Sequence, residues 1–102
     1  PYTLATGTLG QANECVIAFV SNDDGTGVVY TASSPAGLTI LGQNNDTVNW
    51  WTSAVAKLLV TSTVSVSPTF TLSAGTNVAM KIATFKESAA GGGITLMGQV
   101  CT

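Results

Sequence analysis

The chain has 102 residues, 45% of them hydrophobic and only 8% charged, with five Asp or Glu, no His and a net charge of -2. That length makes one domain with a modest core, and a charged fraction well under the roughly 25% of ordinary soluble domains leaves solubility to Ser, Thr, Asn and Gly. Three scattered lysines, Lys57, Lys81 and Lys86, argue against a phosphate-binding face and so against nucleic-acid recognition.

Period-two alternation runs through most of the chain. The predicted fold is therefore all-β: an antiparallel β-sandwich, Ig-like or jelly-roll-like, of eight or nine short strands in a single domain over residues 1–102. The first strand is Tyr2 to Leu9, whose apolar Tyr2, Leu4 and Leu9 are candidate interface residues. Cys15 to Ser21 follows; with no polar alternation from Cys15 to Val20, it is expected mid-sheet with both faces covered. The run is too short to cross a membrane, so no membrane insertion is expected.

Asn22-Asp23-Asp24-Gly25-Thr26-Gly27 reads as a turn, and its oxygens also admit a calcium reading, although the spacing is not that of an EF-hand loop. Val28 to Thr31 is the next strand, and Pro35-Ala36-Gly37 turns into Leu38 to Leu41. Gln43-Asn44-Asn45-Asp46 leads into an aromatic strand, Thr47 to Ala54. Adjacent strand residues face opposite sides, which assigns Trp50, in register with Val48, to the core and Trp51 to the outer surface. Ser53 to Leu59 has the composition for a single helical turn. The remaining strands are Thr61 to Ser67, Thr69 to Ser73 beyond Pro68, Asn77 to Lys86, and, after Gly91-Gly92-Gly93, Ile94 to Cys101.

The residues for catalysis are missing. Without histidine the commonest general base and metal ligand are gone together. Asp23 and Asp24 are neighbours in a turn, and Glu14, Asp46 and Glu87 each stand alone, so no acid/base pair is identifiable. An enzyme is not expected, and no cofactor or metal is called for. Cys15 and Cys101 lack the spacing of a zinc site. They either pair, closing a loop of about 87 residues, or remain two buried thiols. An outward Trp51 suits an interface anchor, a loop-covered apolar residue or a sugar-stacking platform. Few charges leave little to oppose self-association, so homo-oligomeric contacts are expected to cover apolar surface.

The succession Cys15 to Ser21, Asn22 to Gly27, Ser34-Pro35-Ala36-Gly37-Leu38-Thr39, Val48-Asn49-Trp50-Trp51, Val60 to Ser67 and Val78 to Phe85 spans most of the chain. It resembles small β-sandwich domains of tailed-phage virion proteins and of some bacterial surface proteins. The resemblance implies a capsid decoration, or cement, subunit located in the virion. Its partners would be copies of itself and a major capsid or fibre protein, and its role mechanical. The sequence opens without a signal-peptide pattern, which agrees with this reading, while a cysteine pair fits it poorly, because disulfides belong to oxidising compartments. Two alternatives come from other classes. One is an extracellular or cell-surface pilus or fibre subunit that polymerises by donating its N-terminal strand. The other is a carbohydrate-binding module using Trp51 and Tyr30.

Overall fold

A computed structural model of the chain describes residues 1–10, 13–23, 25–74 and 77–86. The expected strand Ile94 to Cys101 and the glycine run before it lie outside the described residues. Within them the fold is all-β, with seven strands in two antiparallel sheets rather than eight or nine. The strands are β1 (Tyr2–Thr3), β2 (Glu14–Asn22), β3 (Tyr30–Ser34), β4 (Thr39–Asn44), β5 (Thr52–Val60), β6 (Thr69–Leu72) and β7 (Val78–Lys86). One sheet has the order β1-β6-β3 and the other β4-β5-β2-β7.

Alternation explains which side chains meet between the sheets. Val16, Ala18 and Val20 of β2 and Ala54, Ala56, Leu58 and Val60 of β5 point inward, where they join Val28, Tyr30, Leu38 and Phe70 in one buried cluster. Val78, Met80 and Ile82 of β7 pack on its margin, as their alternation with Ala79, Lys81 and Ala83 predicts. Strands β2 and β7 pair without a break from Glu14↔Lys86 to Asn22↔Val78, and β2 and β5 pair from Glu14↔Val60 to Asn22↔Thr52. Relative to an immunoglobulin constant domain, with strands A-B-E-D on one sheet and C-F-G on the other, β2 to β6 take the places of B to F. The terminal strands are exchanged: β7 stands at A's position and β1 at G's.

Side chains close the flank where β3 and β4 meet. The Gln43 amide accepts from the Tyr30 backbone N–H and donates to the Tyr30 carbonyl, both at 2.9 Å. Asn45 Nδ2 donates to the Val28 carbonyl at 2.6 Å and to Gln43 Oε1 at 2.9 Å. A side-chain amide thus replaces one residue of a neighbouring strand. The turn between these strands contains a cis Ser34–Pro35 bond and Gly37 at φ 93°, in the left-handed region that glycine enters without a Cβ penalty.

Several expectations are corrected. The helical turn over Ser53 to Leu59 is strand β5, with Thr52, Ala54, Ala56, Leu58 and Val60 buried in alternation; burial overrides the helix propensity of its alanines. The aromatic strand Thr47 to Ala54 is mostly loop, and strand begins only at Thr52. Trp50 is not in the core: it is 65% exposed, as is Trp51, because neither lies on a strand. Thr61 to Ser67 is no strand either. Its polar links run to the N-terminal segment, from Thr6 N–H to the Val66 carbonyl at 2.9 Å and from Leu9 N–H to the Thr63 carbonyl at 3.0 Å. The Val66 N–H donates to the Thr6 hydroxyl at 3.1 Å, a side-chain acceptor that competes with a regular ladder. The first strand is correspondingly only Tyr2–Thr3, with Gly7 at φ 76° beyond it.

Candidate binding face

The outward side of the four-stranded sheet carries Cys15, Ile17, Phe19 and Ser21 from β2, alternating with the core residues. The register sets beside them Ser53, Val55, Lys57 and Leu59 of β5 and Ala79, Lys81, Ala83 and Phe85 of β7. Several apolar side chains on this face are partly exposed, and the Cys101 strand expected among its possible covers lies outside the described residues. Phe19 is 43% exposed, Leu59 48% and Phe85 41%. Cys15, opposite both Leu59 and Phe85, is nevertheless buried and disulfide-bonded. The chain's other cysteine, Cys101, lies outside the described residues.

Beside Phe19 the register slips between Ile40 and Gly42, and Leu41 at the bulge is half exposed. Gly42 has no side chain to fill the space, which leaves a shallow groove of about 230 Å³ against Phe19, Ser53 and Val55.

At the far end of the same face lies a second hollow, of about 420 Å³, lined by Ser21, Asp23, Trp51, Asn77 and Ala79. Trp51 immediately precedes β5, and the Asn22↔Thr52 and Asn22↔Val78 pairings bring it to the place where β2 ends and β7 begins. The loop bearing it is tied down by Asp46. One oxygen of that carboxylate accepts from Val48 N–H at 2.8 Å and Asn49 N–H at 3.1 Å, and the other from Asn49 Nδ2 at 2.9 Å. These bonds, that of the Asn49 side chain first, lower the Asp46 pKa below its ordinary value. The Asp46 carbonyl in turn accepts from Gly27 N–H at 2.6 Å.

The sequence-predicted residues do not form one cluster. Trp51 is exposed at the hollow, Tyr2 is half-buried on β1 and Leu4 is 39% exposed, whereas Leu9 is buried in the chain's own core. Tyr30 cannot partner Trp51 on the surface. It is 2% exposed, its hydroxyl shares a 2.8 Å hydrogen bond with Thr52, and burial raises its pKa. Phe19, Leu59, Phe85 and Asn77 carried no signal beyond ordinary alternation and turn chemistry, and only the register brings them to this face. No family model matches the chain, and neither a curated protein nor a solved structure matches it.

Proposed function

We propose that the protein is a structural subunit of the capsid-decoration kind, stabilising a virion lattice by contact with copies of itself and with a capsid protein. The observation that carries this reading is the open outer face of the four-stranded sheet, with Phe19, Leu59 and Phe85 each between two-fifths and one-half exposed. Exposed apolar side chains on a flat sheet face cost solvation until another surface covers them. Few charges stand in the way: among the described outward-facing residues of β2, β5 and β7 only Lys57 and Lys81 carry one, with Asp23 at the far end. Co-sedimentation with isolated capsids tests it. Saturable, stoichiometric binding is expected, with loss in a Phe19→Asp, Leu59→Asp double variant that keeps its β-sheet circular dichroism. Absence of binding by the unaltered protein overturns the reading.

One observation favours the extracellular fibre reading: Cys15 is disulfide-bonded, and such bridges persist in oxidising compartments. Residues 1–9 would be the donated segment, held at a sheet edge by the β1–β6 pairs and a few bonds beyond them. Under this reading the purified protein forms chains that vanish when residues 1–9 are deleted and that a synthetic 1–9 peptide terminates. Chains that persist after the deletion sink it.

A further inference from the structure

The hollow at Trp51 differs in chemistry from the apolar face beside it. Its wall is an indole two-thirds exposed. Its floor is Ser21 and Ala79, which pair across β2 and β7 and are small enough to leave the space open. Its rim is a held carboxylate: Asn77 Nδ2 donates to Asp23 Oδ1, and the Asn77 carbonyl accepts from Asp23 N–H at 3.4 Å and from Asn22 Nδ2 at 3.2 Å. The second Asp23 oxygen has no hydrogen bond among the described residues. An exposed indole, a hydroxyl and a carboxylate held by Asn77 therefore line a space of about 420 Å³, inside the roughly 300–1,000 Å³ usual for small-molecule sites.

We propose that this hollow binds a neutral sugar ring, stacked on Trp51 and hydrogen-bonded through its hydroxyls to Asp23 and Ser21. An aromatic face is electron-rich and meets the polarised C–H face of a pyranose well. An ionised carboxylate only accepts hydrogen bonds, and a hydroxyl accepts or donates, which suits a ring edged with O–H groups. Charge selects against the rival that also stacks on tryptophan. Among the described residues lining the hollow the one ionisable group is Asp23, whose negative charge repels the phosphates of a nucleotide. A quaternary ammonium is disfavoured because tight capture uses several aromatic faces and this hollow has a single indole. The anchored Asp46 loop holds the platform before any ligand arrives, which lowers the ordering cost of binding. Trp50, equally exposed, does not line the hollow and is the built-in control.

The hollow's lining includes neither Phe19 nor Leu59, and failure to bind a sugar leaves the assembly reading untouched. The test titrates the protein with the methyl glycosides of glucose, galactose, mannose and N-acetylglucosamine, and separately with choline. Tryptophan emission and the two indole N–H resonances report binding. Saturable binding of at least one glycoside is expected, moving the Trp51 resonance. Trp51→Ala abolishes it, Trp50→Ala keeps it, and Asp23→Asn weakens it about tenfold, the loss of one charge-assisted hydrogen bond. Because Trp51 is exposed, its removal leaves the thermal transition in place and keeps the variant interpretable. No saturable glycoside, binding of choline alone, or binding that survives Trp51→Ala overturns the proposal. Capsid co-sedimentation of Trp51→Ala is expected to match that of the unaltered chain.

Discussion

The Tyr30 phenol on β3 and the Thr52 hydroxyl at the start of β5 share a hydrogen bond of 2.8 Å, joining the two sheets through their buried interior. Each hydroxyl satisfies the other where no water can. Tyr30→Phe is expected to destabilise the fold by roughly 1–3 kcal/mol by orphaning Thr52, and adding Thr52→Val is expected to recover most of the loss. Urea midpoints of the two single variants and the double variant decide it, and strictly additive losses would refute the pairing.

The same tyrosine makes the fold sensitive to alkali. Burial raises its folded pKa above the ordinary 10.0, partly offset by the Thr52 bond. An unfolded chain then releases the phenolic proton first. Its contribution is fully present below pH 10.0 and is lost as pH rises through the folded pKa. Denaturation midpoints from pH 8 upward are expected to fall above about pH 10, and to fall less in Tyr30→Phe.

Asp46 gives the opposite sign. Its folded pKa is depressed, so its contribution is present above the ordinary 3.8 and is lost as pH falls through the folded value. Amide exchange at Val48 and Asn49 is expected to accelerate on acidification through that window, once the exchange chemistry's own pH dependence is removed. Asp46→Ala is expected to show the fast exchange already at neutral pH. Unchanged protection in the variant would mean that the carboxylate does not hold the loop.

Core and face respond differently to truncation. Phe70 is fully buried at the centre of the three-stranded sheet, and Phe70→Ala is expected to cost about 3–5 kcal/mol. Trp50→Ala, at a side chain two-thirds exposed, is expected within about 0.5 kcal/mol of the unaltered protein. Thermal unfolding of both reads the contrast directly.

The proposed partner of Cys15 is Cys101. Mass spectrometry of the unreduced chain is then expected to find it lighter by two hydrogens than the reduced one. Reduction is expected to remove up to roughly 4–5 kcal/mol, the chain-entropy value for a closed loop of that length. A reduced chain with an unshifted midpoint would leave the bridge without a stabilising role.

Where alternation was carried by β-branched or long apolar residues, as with Val78, Met80 and Ile82, the sequence showed strand and facing together, whereas the unbroken apolar run from Cys15 to Val20 showed a strand but not which side chains turn inward. It misled where residue type and context disagreed. Alanines made β5 look helical although every second residue is buried. Thr61 to Ser67 alternates like a strand, yet Pro68 has no N–H to give and the Thr6 hydroxyl takes the place of a backbone acceptor. The tryptophans looked like strand residues because nothing local shows that Asp46 caps a turn beneath them. The Trp51 hollow was only half legible: its indole stood out, but Asp23 and Asn77 are 54 residues apart and meet only through the pairing of β2 and β7.

The Gln43 amide on Tyr30 would also give a direction to any assembly built by extending the three-stranded sheet. An incoming strand that sought to extend the three-stranded sheet at β3 would find the Tyr30 N–H and carbonyl already occupied from within the chain. The opposite margin is formed by the two residues of β1. Growth of this sheet by backbone pairing would therefore be polar: one border meets a glutamine at Tyr30 and the other the short β1. Any filament built by that route is expected to have distinguishable ends.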